Sequence, residues 1–266
     1  MYAFDYVKPA SLQDAVAAMG REDAQAIAGG QTLIPTLKQR LAQPSVLVDL
    51  SGIAEMQGVC EKGNAIAVGA GTTHRALATD PLVQAKIPSL AALAGNVGDP
   101  QVRNRGTVGG SIANNDPSAC YPAAAMALRA VMHTSTGRAI AADTYFQGMF
   151  DTALEEGELL VSIDFAVPET GNYQKFEQPA SRFAMVGVYV AKFAEGVRVA
   201  VTGAGEGGVF RWAEAEQALS ADFNAGAVAA LKHPVEGMIG DLHATPDYRA
   251  HLIGVMTKRA VAASLA

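Results

Sequence analysis

The stretch Gly98–Ala123, GDPQVRNRGTVGGSIANNDPSACYPA, limits what this chain can become more than any other. It carries four glycines and three prolines but few of the charges that decorate an ordinary solvent loop. At its centre, Gly106-Thr107-Val108-Gly109-Gly110-Ser111 offers a backbone that another group can approach without meeting a Cβ. Arg103 and Arg105 stand just before it; in so constrained a segment they read as positioned cations. A second pair, Gly29-Gly30-Gln31-Thr32, follows a short strand at residues 25–28 and precedes a helix with Leu33, Leu37 and Leu41 on its apolar face and Pro35 in its first turn. Strand, Gly-Gly turn, helix and a further strand at residues 46–50 make a βαβ unit. Its turn leaves backbone N–H groups at a helix N-terminus, a setting that favours an anion such as pyrophosphate. Each glycine pair alone reads equally well as a tight turn. Together, with hydroxyl residues beside them and Asn114, Asn115 and Asp116 behind, they point to a dinucleotide gripped from two sides.

Gly203-Ala204-Gly205-Glu206-Gly207-Gly208 matches G-x-G-x-x-G and follows a strand at residues 197–202. That pattern requires a helix to open on the third glycine. Here Val209-Phe210-Arg211-Trp212 follows, which is strand-like, so the segment reads as a glycine-rich hairpin.

Among the 266 residues, 50% are hydrophobic and 17% charged, which supports a buried core rather than disorder. The net charge of −6 and the aromatic share of 6% give neither the basic footprint nor the stacking platforms of a nucleic-acid binder. Two cysteines, Cys60 and Cys120, are too few for a four-cysteine iron–sulfur or zinc site. The five histidines show no metal spacing, and no nucleophile–base set can be assembled; His74 lies near the proposed site and reads either as a ligand contact or as a helix cap. No run of about 18 apolar residues is present to span a membrane. The first residues lack the pattern of a secretory signal, so a reducing, cytoplasmic setting is expected.

Elsewhere the pattern predicts a helix capped by Ser11, a connection over residues 53–62, a strand at 65–70, and a short helix capped by Thr72. Helices at 88–94 and 123–129 follow, then a hairpin about Ser135-Thr136-Gly137 and a strand at 159–165. The polar stretch 169–172 reads as a boundary. Beyond it come a small antiparallel sheet (173–176, 183–192, 197–202, 209–212) and helices at 213–219, 225–231 and 247–263, the last introduced by Thr245-Pro246.

AGGQTLIPTLKQRLAQP at residues 28–44, AGTTH at 70–74, the stretch at 98–124, KFEQPASRFAMVGV at 175–188 and DLHATPDYRAHLIGV at 241–255 resemble the flavin-carrying medium subunit of the molybdenum hydroxylases. That family includes carbon monoxide dehydrogenases, xanthine dehydrogenases and aldehyde oxidoreductases. The resemblance implies an α+β fold: a two-subdomain FAD-binding region of the vanillyl-alcohol-oxidase (PCMH) type at 1–57 and 58–170, and a C-terminal domain at 171–266. It implies that Ala28, Gly29, Gly30, Gln31 and Thr32 hold the FAD diphosphate from one side and Thr107, Gly109, Gly110 and Ser111 from the other. Leu33 and Ile34 would line the flavin cleft. Asn114, Asp116 and Ser118 would lie near the ribityl or adenosine part, and Lys175, Arg182 and Phe183 near the isoalloxazine. Cys120 stands where the family commonly has an acid, and cysteine is a poor hydrogen-bond acceptor.

By the same resemblance, a large partner subunit holds a molybdenum–pterin and a small partner two [2Fe-2S] clusters, arranged as a dimer of heterotrimers. Electrons would pass through FAD to NAD, a quinone or oxygen. A stand-alone FAD oxidase, a flavin-less scaffold subunit and an NAD dehydrogenase using Gly203–Gly208 are the competing readings.

Overall fold

A computed structural model describes residues 1–266. The N-terminal unit is a three-stranded parallel sheet in the order Asp5–Val7, Val46–Asp49, Ala24–Ile27. The central strand is buried at every position, as a parallel strand covered on both faces should be. Helices Leu12–Met19 and Leu33–Lys38 make the crossovers. Ser11 caps the first, its Oγ accepting from Asp14 N at 3.1 Å.

The second unit is a five-stranded antiparallel sheet in the order Val59–Lys62, Ala65–Gly69, Leu160–Ala166, Val131–Thr134, Ala139–Ala141. Between the second and fourth of these the chain leaves the sheet for short helices: His74–Thr79, Pro81–Lys86, Pro88–Gly95, Pro100–Arg105, Val108–Asn114 and Tyr121–Ala127. Pro81, Pro88, Pro100 and Pro122 each fall in the first two helical positions. There the ring fixes a helical φ and costs no intrahelical hydrogen bond, so the prolines start each helix and end the segment before it. Residues 53–62, expected to be a connection, contain the 3₁₀ turn Ala54–Met56 and the strand Val59–Lys62. That strand is an edge, exposed at Cys60, Glu61 and Lys62, so it carries no apolar alternation to reveal it. The cap of the next helix is Thr73, whose Oγ1 accepts from Ala76 N at 3.2 Å; Thr72 Oγ1 is occupied with the backbone of Gly58.

The C-terminal unit is a four-stranded antiparallel sheet, Thr170–Glu177, Ala184–Phe193, Gly196–Gly205 and Gly208–Arg211, with helices Ala213–Ala221 and Pro246–Ser264. The polar stretch 169–172 runs into the first strand of this sheet, which begins at Thr170, with Gly171 paired to Ala191. The helix expected at 225–231 is absent. Asn224 Oδ1 accepts from the amides of Gly226 (2.7 Å) and Ala227 (3.1 Å), offering the backbone a turn in place of a helix. Gly205 pairs directly with Gly208, so the G-x-G-x-x-G segment is the hairpin read from its sequence.

Two cores hold the molecule together. The strand Ala184–Phe193 feeds both, because its side chains alternate faces. Val186, Val188 and Val190 pack with Leu252, Ile253, Met256 and Val261 of the last helix, while Tyr189, Ala191 and Phe193 join the core of the first two units. The C-terminal sheet is thus covered on both faces. Ser89 Oγ and Tyr189 OH hydrogen-bond at 2.5 Å across this seam, and Arg198 reaches Asp143 at 2.9 and 3.0 Å. No helix is long and apolar enough to cross a membrane.

Candidate functional site

The two glycine segments face each other. A Cβ on Gly29 would overlap Arg105 O and lie 2.6 Å from Gly106 Cα, so the jaws touch backbone to backbone only because Gly29 has no side chain. Their chemistry differs. In the first jaw the amides of Gly29, Gly30, Gln31 and Thr32 have no hydrogen-bond partner in the chain. Gly30 takes a left-handed φ of 69°, which turns this run toward the helix Leu33–Lys38. Four adjacent unpaired donors form a cradle for an anion.

The second jaw is not a loop but the first turn of the helix Val108–Asn114, capped by Thr107. Its amides are already used: Val108 N donates to Thr72 O (3.0 Å), Gly109 N to Ala70 O (2.8 Å), Gly110 N to Thr107 Oγ1 (3.0 Å) and Ser111 N to Thr107 O (3.1 Å). Gly109 is a packing glycine, since a Cβ would clash with Ala70 and lie 2.6 Å from its carbonyl oxygen. Gly110 is the exposed one; a Cβ there meets only Thr107 Oγ1, and its bare Cα faces the cleft. The second jaw therefore contributes close approach and side chains, and the first contributes the free N–H groups.

Between the jaws runs a cleft of about 640 Å³, within the range of small-molecule sites. Ala28, Gly29, Gly30, Gln31, Thr32, Leu33, Thr107, Gly109, Gly110, Ser111, Asn114, Asp116, Ser118, Cys120 and Lys175 all line it, as do Arg182 and Phe183. Ile34 does not: its Cδ1 packs beneath Gly30, because the helical turn carries it to the side away from the cleft. Arg103 is positioned, but by the protein, with Nη1 donating to Val97 O (3.1 Å) and Gly98 O (2.9 Å).

Lys175 reaches the cleft with its donors already placed. Nζ gives hydrogen bonds to Asn96 O (2.7 Å) and Arg182 O (2.8 Å) and lies 3.9 Å from Cys120 Sγ. An ammonium has three N–H bonds, so Lys175 here acts as a tie between the second unit and the 178–183 turn. The Cys120 thiol is pushed up by burial, against the pull of that ammonium, and stays neutral.

His74 and Tyr121 form the part of the wall that sequence reasoning left open or missed. Their rings stack at 5.2 Å, and Nδ1 lies 3.1 Å from the Tyr121 hydroxyl. Tyr121 gave no signal beyond standing before a proline, since only the tertiary fold sets it behind His74. Burial, helped by the Arg103 charge, lowers the His74 pKa from 6.5 to about 4. The unfolded chain takes up a proton near pH 6.5 that the folded imidazole refuses until about pH 4. Stability from this group is complete above pH 6.5 and lost as the pH falls toward 4, by up to about 3 kcal/mol. Denaturant titrations across that window, on the chain and on His74→Phe, are expected to show a shallower acid slope in the variant; equal slopes would refute the assignment.

A protein-family comparison matches residues 2–169 to the FAD-binding domain of molybdopterin dehydrogenases. The chain belongs to this family. It is 36% identical to the carbon monoxide dehydrogenase medium chain of Hydrogenophaga pseudoflava, over 99% of this chain and 97% of that one. It is 31% identical to the nicotine 6-hydroxylase medium subunit of Paenarthrobacter nicotinovorans, over 97% and 96%. Among solved structures it superimposes on the reconstituted CO dehydrogenase of Oligotropha carboxidovorans with a TM-score of 0.91 and 33% identity, over 99% of this chain and 98% of that one. This FAD-binding subunit thus belongs among the oxidoreductases, with the α+β fold expected of it. Its cleft fits the cofactor: unpaired amides suit a diphosphate, and the bare Gly110 leaves room beside them.

Proposed function

We propose that this chain is the electron-transfer subunit of a molybdenum hydroxylase complex, carrying FAD between the two jaws. The single observation that supports this reading best is the row of four unpaired amides, Gly29 to Thr32, at one side of the cleft. These would hold the diphosphate, Gly110 would let it approach, and Ser111, Asn114, Asp116 and Ser118 would reach the sugar-like chain. Leu33, Cys120 and the Lys175–Arg182–Phe183 wall would face the isoalloxazine. Bound FAD takes up single electrons and passes on a pair, which is chemistry the cofactor carries and the protein only positions.

The cleft's own titratable groups fit that division of labour. Burial lowers the His74 pKa to about 4 and so keeps the ring neutral at neutral pH, the Cys120 thiol and the Tyr121 hydroxyl are pushed up, and Glu158, tied to Thr136 and Arg138, is pulled down. None is poised near neutral pH for general acid–base work, which a substrate-oxidising site of its own would need. We assign the source of electrons to [2Fe-2S] clusters in a small partner, fed by a molybdenum–pterin in a large one. The acceptor would be NAD or a quinone, and the assembly a dimer of heterotrimers. The two free cysteines suit a cytoplasmic, reducing setting.

The chain purified with its neighbours is expected to show the flavin absorption bands, and their absence would overturn the proposal. Gly110→Asp tests the grip itself. It places a carboxylate where the diphosphate must lie, so FAD is expected to be lost by at least about tenfold, with the circular dichroism of the fold retained. Undiminished FAD retention would show that Gly110 is not the point of close approach.

A further inference from the structure

Tyr121 is fully buried, and its hydroxyl has one hydrogen-bond partner, Nδ1 of His74. A buried hydroxyl tolerates a spare lone pair far better than a stranded proton. Tyr121 therefore donates to Nδ1, and the neutral imidazole carries its proton on Nε2. That Nε2 makes no hydrogen bond in the chain. It is not among the polar atoms sealed unpaired in the interior, and His74, only 4% exposed, lines the cleft. Nε2 faces Gly106, where a Cβ would lie 2.6 Å away, and Gly106 is the residue on which Gly29 packs. An unpaired N–H thus lies where the two jaws meet, beside the free amides of the first. The backbone of the same residue is anchored there too, with His74 N donating to Gly106 O at 3.0 Å.

We propose that His74 is a cofactor-binding residue, donating a hydrogen bond from Nε2 to an oxygen of the diphosphate–ribityl segment of FAD, with Tyr121 as the positioning residue that fixes the donor tautomer. The proposal rests on the FAD reading above. The imidazole supplies a directed donor without a second positive charge beside Arg103. The ring is clamped by stacking and by the missing side chain of Gly106, so the donor is preorganised and loses little freedom when the ligand arrives.

Three measurements test this. Nitrogen-15 correlation spectra of the full chain are expected to show His74 protonated at Nε2, and to show Nδ1–H gaining population in Tyr121→Phe; a wild-type Nδ1–H form would overturn the proposal. His74→Phe keeps the stacked ring and removes the donor; FAD affinity, read from the fluorescence of released flavin in the purified complex, is expected to fall about tenfold or more. His74→Gln restores an N–H at similar reach and is expected to recover most of that loss, which a purely space-filling ring would not allow. FAD held equally well by wild type and His74→Phe would sink this inference alone. A wild-type complex devoid of flavin would sink the FAD reading first.

Discussion

Gly29→Ala is expected to cost the chain both its flavin and a large part of its stability. The added Cβ would meet Arg105 O and the Cα of Gly106, all backbone, so no side-chain rotation relieves the clash. The jaws must part, and the Gly29–Thr32 amides move with them. Overpacking against backbone that cannot yield costs at least about 3 kcal/mol. For a chain of this length that is a fall of roughly 10 °C in the unfolding midpoint. Thermal melts with flavin release recorded in parallel would check it. Gly207→Ala is the control: nothing lies within 4 Å of its would-be Cβ, and its melt should match the parent. An unshifted Gly29→Ala melt would mean that the jaws do not touch as described.

Arg249→Met should produce the other large loss. Arg249 is 3% exposed, yet its guanidinium donates to Met185 O (2.6 Å), Gly203 O (2.7 Å) and Asp241 Oδ2 (2.6 Å). Methionine fills the volume but strands two carbonyls and frees Asp241. The cost of breaking such a buried set is about 3–5 kcal/mol, and lysine should not rescue it, because a point ammonium cannot span the fork. The consequence reaches the cleft. Next to that carbonyl, Gly203 N donates to Pro117 O (2.8 Å), and Thr202 Oγ1 donates to Pro117 O (3.0 Å) and Ala119 O (2.7 Å). These bonds support the Asp116–Cys120 segment of the wall. Urea unfolding of Arg249→Met should show the loss, and hydrogen exchange should rise at Gly203. Unchanged exchange there would argue that Arg249 does not anchor this corner.

Much of this is legible in the sequence, and the legible parts share a property. Ser11, Thr245, the prolines at helix starts, the Ser135–Gly137 turn and the Gly203–Gly208 hairpin act within a few residues of themselves, so their chemistry is written in order along the chain. The two glycine pairs belong to the same class, as does the membership of the family, which rests on motifs read in sequence. Where local signals misled, the cause is also local: Val59–Lys62 is an exposed edge without alternation, and the alanines of 225–231 lost their helix to the side chain of Asn224.

What each glycine is for was decided only by packing. Sequence set Gly29, Gly109 and Gly110 down as equivalent members of a clamp. The fold uses Gly29 to seat one jaw on the other, Gly109 to seat a helix on Ala70, and leaves Gly110 bare to the cleft. Likewise the family resemblance implied that Lys175 lies near the isoalloxazine, while the distances to Asn96 O and Arg182 O show the lysine already engaged. The reason is physical. A turn or a cap is specified by torsions and hydrogen bonds between near neighbours, but a donor is free or spent according to which distant carbonyl lies opposite it. For this chain the sequence alone determined the jaws; the tertiary structure decided which of them has donors to give.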